Sequence, residues 1–421
     1  MAEEKQALIS IPLDIPDVRV LETEVSLVGD FVITVESTVG SAICHKCGTE
    51  TTEFHCYDRW ITLRHLPILD QKVWIRLRPK RYRCSYCSDK PTTTQRLSWY
   101  ESGSSNTKAY EQYLLLRLVN STIEDVSRKE QVGYETVAGV IERYISGGVN
   151  WDEYLTIDVL GLDEIALKKG HCDFVVIVTA RSGEGRVRML AVLGDRKKET
   201  VKEFLRGIPA HLRSSIETVC TDMYDGFINA VEEEIPSATV VADRFHVAKK
   251  YRECADNLRK QEVGRLKKEL AKDEYCQIKG AMWPFRKRPE ELTQEEASLL
   301  ERLFARSPSL SQAYRRREEL TEIFEQDLTK AEATEKLREW KERVAGSELS
   351  CFESFLTMLD NWLDEITNYF LRRQTSGFVE GINNKIKVLK RRCYGIFNLG
   401  HLFQRLFLDL EGYRLFAKTT L

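Results

Sequence analysis

The pattern of apolar and polar positions changes character along the chain. Between about residues 15 and 100 they alternate in VRVLETEVSL, DFVITVES and KVWIRLRP, the two-residue period of half-buried β-strands. From about 107 to 147 the period turns helical. There NSTIEDVSRKEQVGYETVAGVIERYI predicts two short helices joined around Val132, Gly133 and Tyr134, the layout of a helix-turn-helix. From about 155 to 245 strands and helices mix. Strands are expected through Leu160 to Ile165, Phe174 to Ala180 and Val187 to Leu193; then come a helix from Glu199 to Leu205, a strand through Thr218 to Cys220, a helix from Gly226 to Glu233 and a strand through Thr239 to Ala242. Three successive strands, then helix, strand, helix, strand, is the order of a ribonuclease-H-like α/β core. The stretch to about 375 is helical and highly charged. Thr293 with Glu296 and Thr329 with Glu332 predict capping boxes, and Phe352, Phe355, Leu356, Leu359, Trp362, Ile366 and Phe370 form a 3.6-period apolar stripe.

With 421 residues and 42% hydrophobic content the chain is long enough for several domains with substantial cores. The start, MAEEKQALIS, has no basic-then-apolar leader pattern, and the apolar stretch from Phe174 to Ala180 is far short of the roughly 20 residues that span a bilayer, so a cytoplasmic protein with no membrane partner is expected. Eleven cysteines suit a secreted disulfide framework poorly, and four of them form two CxxC pairs. Cys44, Cys47, Cys84 and Cys87 are therefore expected to close a tetrahedral thiolate site for a structural Zn²⁺, which stabilises a module too small to fold on its core alone. Cys56, His45, His55 and His65 lie between or beside the knuckles as alternative ligands, with surface histidines as the plainer reading.

Net charge is only −2, yet its distribution is uneven. From Arg59 to Arg83 eight basic residues, among them Arg78, Lys80 and Arg81, face the single acid Asp70 and alternate with Trp60, Trp74 and Tyr82. A second run, Lys385, Lys387, Lys390, Arg391 and Arg392, has no intervening acid. Such local surfaces attract phosphate whatever the total charge, so Arg78, Lys80, Arg81, Lys387, Lys390, Arg391 and Arg392 are candidate DNA-backbone contacts beside a helix pair able to read base edges.

Three carboxylates stand out as candidate chemistry. Asp163 and Asp222 end apolar β-rich runs, and Glu380 begins a basic helix in VEGINNKIKVLKRR. A buried unpaired acid is costly, and three acids together can hold two divalent cations for phosphoryl transfer. A lone strand-end aspartate is more often a cap or a solvated group. Asp243 in VVADRFHVAKK also ends a strand, with His246 one helical turn beyond; each is a candidate to orient a ligand or water, or to serve a capping or core role. Glu164 should face away from Asp163 across the strand. Helical spacing places Asn384, Lys387 and Arg391 on the Glu380 face, opposite Val379, Ile382, Ile386 and Leu389.

CHKCG with RYRCSYC, LDEIALKKG, TDMYDGF, VVADRFHVAKK, WPFRKRPEELTQEE and VEGINNKIKVLKRRCYG together resemble bacterial insertion-sequence DDE transposases of the ISL-three family. TDMYDGF carries Tyr224 where that family is expected to have Trp. The resemblance implies a multidomain α+β protein. Its parts would be a β-rich zinc-ribbon-like module over 1–100, a helix-turn-helix over 105–150, a ribonuclease-H-like core begun at 151–250, an all-helical insertion over 251–372, and C-terminal helices over 373–421 that complete the core. It selects Asp163, Asp222 and Glu380 as the catalytic triad holding Mg²⁺ or Mn²⁺, with Asp163 bridging both cations. It further implies a bacterial, nucleoid-associated enzyme that binds terminal inverted repeats and target DNA as a homodimer or higher assembly, then cleaves and transfers strands. The alternatives are a DNA-binding repressor with a silent core and a structure-selective nuclease.

Overall fold

The computed structural model describes residues 11–166, 174–182, 185, 187–347, 349–375, 377–393 and 398–417, with the side chains of 377–380 outside the description. The end of the LDEIALKKG motif and the Glu380 side chain thus lie outside the described residues. The chain divides into two compact units: one runs to Ile145 and includes the segment from Phe407, the other is Ser146–Leu406.

In the first unit the alternating segments become nine strands, β1 (Val18–Val25), β2 (Phe31–Ser37), β3 (Ala42–Ile43), β4 (Glu50–Thr51), β5 (Glu53–Tyr57), β6 (Ile61–Ile68), β7 (Gln71–Leu77), β8 (Lys80–Arg83) and β9 (Thr92–Thr94). The longest make a sheet in the order β1-β2-β7-β6, whose inner face buries Val35, Leu63, Val73, Ile75 and Leu77 against Leu97 and Trp99. The cysteine knuckles lie apart from it, on the β3–β4 hairpin and the β5-β8-β9 sheet. Three helices follow: α1 (Lys108–Leu118), α2 (Ile123–Glu130) and α3 (Tyr134–Tyr144). Their shared core includes Leu114, Leu118, Val126, Val137, Val140 and Leu408, the last contributed from the far end of the chain. That end comes very close: a Cβ on Gly412 would lie 2.6 Å from a Val119 methyl, and Asp409 accepts the Asn120 N–H at 2.9 Å. The segment from Phe407 therefore groups with the helical bundle, whereas the sequence placed everything after 373 with the catalytic core.

The second unit is built on a five-stranded sheet. In chain order its elements are β10 (Val159–Ala166), β11 (Phe174–Arg181), β12 (Val187–Leu193), α4 (Lys198–Gly207), α5 (Ala210–Arg213), β13 (Thr218–Thr221), α6 (Asp225–Glu234) and β14 (Thr239–Ala242). Strand order is β12-β11-β10-β13-β14, antiparallel from β12 to β10 and parallel from β10 to β14. Both faces are covered, which is why these strands read as nearly continuous apolar runs. Along β13 the pleat sends Val219 toward α4 and α6, with Leu160, Leu162, Val176 and Val178, and sends Cys220 toward the helical array on the other face.

That array begins directly after β14 with α7 (Arg244–Glu269) and continues through α8 (Lys272–Cys276), α9 (Met282–Arg286), α10 (Gln294–Arg306), α11 (Pro308–Glu325), α12 (Lys330–Ala345), α13 (Glu353–Asn361), α14 (Leu363–Thr367) and α15 (Tyr369–Arg372). Both expected capping boxes are present, at Thr293/Glu296 and Thr329/Glu332. Trp340 sits at the centre, fully buried, its ring edge-on to Phe352 and Phe355. The apolar stripe from Phe352 to Phe370 is divided into short helices at Trp362 and Asn368 instead of forming one continuous rod. Asn368 uses the break, donating its amide to the Val240 carbonyl of β14 at 2.8 Å. The chain then forms α16 (Gly377–Arg392) and α17 (Leu399–Phe416).

In the α2–α3 turn the residue that takes up left-handed backbone is Gln131 (φ 51°, ψ 51°), while Gly133 has φ −58° as the N-cap of α3. Only a residue with a Cβ is strained there. Gln131→Gly is expected to stabilise the bundle by about 0.5–1 kcal/mol and Gly133→Ala to change it little, as read from urea denaturation midpoints.

Candidate active site and zinc site

The parallel pairing of β10, β13 and β14 aligns Leu162 with Thr221 and Thr221 with Ala242. The next residue on each is an aspartate, so Asp163, Asp222 and Asp243 stand in one row, Asp222 and Asp243 just past the ends of β13 and β14 and Asp163 within β10, which runs on to Ala166 and so does not end at the acid as the sequence suggested. Ligands of open α/β sheets bind at such carboxyl ends. Asp163 and Asp243 are buried, and Asp222 is about one-third exposed.

His246 occupies the middle of this row. Its Nδ1 lies 3.4 Å from Asp222 Oδ2, and its Nε2 is 3.6 Å from Asp163 Oδ1 and 4.0 Å from Asp243 Oδ2. Each acid also accepts a local backbone N–H: Asp163 from Glu164 at 2.7 Å, Asp222 from Met223 at 2.7 Å, and Asp243 from Phe245 at 3.1 Å. The last of these makes Asp243 the N-cap of α7. Glu164 points elsewhere, to Arg196 at 3.1 Å.

A further residue enters from α16. Asn383, nearly fully buried, donates its side-chain amide to Asp163 Oδ2, and its own Oδ1 is buried without a hydrogen-bond partner among the described residues. Two helical turns further on, Lys390 donates to the Ala166 carbonyl at 2.9 Å, and burial lowers its pKa. Asn384, Lys387 and Arg391 are exposed, while Ile382, Ile386 and Leu389 are buried. The sequence pattern separated apolar from polar sides of α16 but did not single out Asn383; its signal was the i, i+3 relation to Glu380 on the same helix. The backbone of Glu380 lies about 4.5 Å along the axis from Asn383. The Glu380 side chain is outside the described residues.

Burial raises the pKa of Asp163, opposed by the neighbouring His246 and by hydrogen bonds from Glu164 and Asn383. Acids gathered round a buried one, with an orphaned amide oxygen beside them, are a donor set suited to a divalent cation. Oxygen ligands of this kind match Mg²⁺ or Mn²⁺ and not a thiophilic ion.

The cysteine site is separate and complete. Ligand atoms of Cys44, Cys47, Cys84 and Cys87 all lie within 4.8 Å of one another. The Sγ–Sγ separations of 3.6, 3.8 and 3.9 Å match the ~3.8 Å edge of a tetrahedron with ~2.3 Å Zn–S bonds. Gly48 at φ +72° turns the first knuckle. Bonds from the Thr49 hydroxyl and backbone N–H pull the Cys47 thiol down to about 6, whereas Cys87 is pushed up to about 12, chiefly by its contact with Cys47. Four clustered thiols thus surrender their last proton only against a cation. Cys56 is not part of the cluster, and the three histidines serve other purposes: His45 bonds Thr93 (2.9 Å), His55 accepts from Arg83 (2.9 Å), and His65 is buried against Thr107 (2.9 Å), not on the surface.

The remaining candidate cations differ in availability. Arg78 is exposed, bonded to the Asp58 carbonyl and stacked near Tyr57. Lys80 is held by the Ser37 carbonyl (2.8 Å) and Glu36 (3.6 Å), and Arg81 donates to Thr92 (2.9 Å). Arg392 is half-buried.

A strand-row of acids with a helix returning to it, and a ribbon of four thiolates, are the two sites of the chain, and comparison with known proteins makes it a transposase. The transposase family profile of ISL3 type matches residues 160–406, and the zinc finger of transposases IS204/IS1001/IS1096/IS1165 matches residues 41–87. The chain belongs to the ISL3 family of DDE transposases. It is 27% identical over 375 residues to the transposase for insertion sequence element IS1001 of Bordetella parapertussis, covering 89% of this chain and 90% of that protein. It is 24% identical over 397 residues to the transposase for IS1557 of Mycobacterium tuberculosis, covering 89% and 87%. Among solved structures, the Drosophila P element transposase strand transfer complex aligns at a TM-score of 0.38 with 11% identity, over 72% of this chain and 91% of that one. Among the described residues no helix is long and apolar enough to cross a membrane.

Chelation at neutral pH, or Cys84→Ser, is expected to release one zinc per chain by metal analysis and to unfold the ribbon, seen as lost near-UV circular dichroism. The raised pKa of Asp163 means the folded chain keeps that proton to higher pH than the unfolded chain, so the ionised group opposes folding once pH exceeds the ordinary ~4. Asp163→Asn should therefore raise the urea midpoint of the metal-free protein at pH 7, with the gain fading as pH falls toward 4.

Proposed function

We propose that this chain cuts and rejoins DNA at the ends of the element that encodes it. The observation that carries the reading is the convergence of the Asp163–Asp222–Asp243 row with α16, the helix bearing Glu380 and Asn383, on one point of the sheet. In this reading the sheet is a ribonuclease-H-like core interrupted by the helical array, and Asp163, Asp222 and Glu380 hold two Mg²⁺ or Mn²⁺ ions. When bound, such a pair activates the attacking oxygen and stabilises the leaving one across the phosphate.

The chain's own groups set the stage for that chemistry. Asn383 fixes the rotation of the Asp163 carboxylate and offers its free amide oxygen to a water or hydroxyl. Asp243 is tied as the cap of α7 at the far end of the row. His246 lies between the acids, Nε2 toward Asp163 and Nδ1 toward Asp222, and would orient Asp222. Lys387 and Arg391 on the exposed side of α16 contact the DNA backbone, supported by Lys390 and Arg392. The zinc ribbon, with Arg78, Lys80 and Arg81 nearby, and the α2–α3 pair grip the terminal inverted repeats, in a homodimer or higher assembly that also captures target DNA.

The test is Mn²⁺-dependent cleavage and joining of DNA carrying the element's ends. Asp222→Asn and Glu380→Gln are expected to bind those ends normally and to lose more than about 100-fold in cutting. Asn383→Ala should lose about 10–100-fold and need more Mn²⁺ for half-maximal rate. Tight binding by the native chain with no cutting under any divalent metal would replace this reading with that of a repressor.

A further inference from the structure

Helix α7 leaves the carboxylate row carrying Phe245, Lys249 and Arg252 on one exposed face, at spacings of four and three residues. Phe245 is 43% exposed, and its ring meets that of His246 edge-on at 5.5 Å between centroids, so this face begins where the acids end. The three side chains wall a cavity of about 340 Å³ whose floor is the fully buried Phe285 and Arg317.

The cavity's cations fall into two groups. Arg286 is paired with Asp256 at 2.7 Å, and Arg317 with Glu318 at 2.5 Å and the Lys287 carbonyl at 2.9 Å, so both are structural. Among the described residues Lys249 and Arg252 are held in no ion pair, and they outnumber Glu253, which lines the same opening. Arg252 rests over the Tyr251 ring at 6.0 Å, a contact that leaves its charge unneutralised. An exposed aromatic with two cations outside any ion pair at its side is the combination that binds a base by stacking and its phosphates by charge.

We propose that this cavity holds an unpaired nucleotide of the DNA strand running out of the active site, its base against Phe245 and its phosphates on Lys249 and Arg252. Size selects a single nucleotide: about 340 Å³ lies at the small end of ligand pockets, whereas a duplex presents a groove ~12 Å wide on its own. Position selects the flanking strand. His246 to Arg252 spans about 9 Å along the helix, or two to three nucleotide steps of ~3.4 Å. Stacking is indifferent to base identity, so the site secures a strand near the cut without adding sequence preference. The inference rests on the DNA-cutting reading above.

The test uses the full chain and two fluorescent probes, a short single-stranded oligothymidine and a duplex of equal length. Phe245→Ala is expected to weaken single-strand binding by about 5–100-fold, with Phe245→Trp restoring it. Lys249→Ala with Arg252→Ala should lower the single-strand log–log salt slope by about 1.4. Duplex affinity should hold in all three, and an oligothymidine carrying 5-iododeoxyuridine should photocrosslink to the peptide containing Phe245. Unchanged single-strand affinity, an equal loss for duplex, or crosslinks mapping off α7 or to a second protein chain would each overturn the nucleotide site while leaving the cleavage reading in place. If the native chain cuts nothing yet shows the Phe245-dependent binding, the nucleotide site stands and the cleavage reading falls.

Discussion

Lateral register in the central sheet is the constraint on which the rest of this unit depends. Because β10, β13 and β14 pair in parallel with Leu162, Thr221 and Ala242 in line, three aspartates must share one edge. Like charges so placed repel, and burial of Asp163 sharpens the penalty by disfavouring its ionised form. The surroundings answer with an imidazole at the centre, three backbone N–H donors and an amide from α16. A divalent cation would satisfy the same row more fully. The strain is therefore local to the site and is carried by the well-packed sheet behind it.

The helical array explains how a residue 220 positions later reaches Asp163. It leaves the sheet at the Asp243 cap, packs around Trp340, and returns through the short helices broken at Trp362 and Asn368. Asn368 ties that return to β14, and α16 then lies against β10 with Asn383 and Lys390 bonded to it. Burial of Ile382, Ile386 and Leu389 sets the rotation of α16 about its axis, and with it which polar residues face the acids.

Stability in the first unit comes from two unlike sources. The four-stranded sheet and the three-helix bundle rest on apolar burial, whereas the knuckles sit on two- and three-stranded sheets too small to hold themselves together. There the thiolate tetrahedron substitutes for a core. Basic residues around it are partly structural: Arg64 is buried between Trp74 and Tyr110, and Lys80 is tied to Ser37, which separates charge that supports the fold from charge left for a partner.

Much of this protein was legible in its sequence wherever the governing interaction is local. Strand and helix periods located β10 to β14 and both capping boxes, since side-chain direction repeats every 2 or 3.6 residues, and CxxC spacing named the four thiolates. Composition and spacing could not choose between Asp222 and Asp243, because each ends a strand in an apolar run; only family resemblance favoured the former, and the structure sets both in one row with Asp163, Asp222 on the neighbouring strand and Asp243 one strand further. Tertiary structure alone decided that Asn383 meets Asp163, that His65 is buried, that the stripe from Phe352 to Phe370 breaks twice, and that Leu408 packs with the α1–α3 bundle. The physical reason is common to all four. Each depends on which elements meet across hundreds of residues, and that is set by strand register and by the apolar surface each helix must cover, not by any neighbour in the chain.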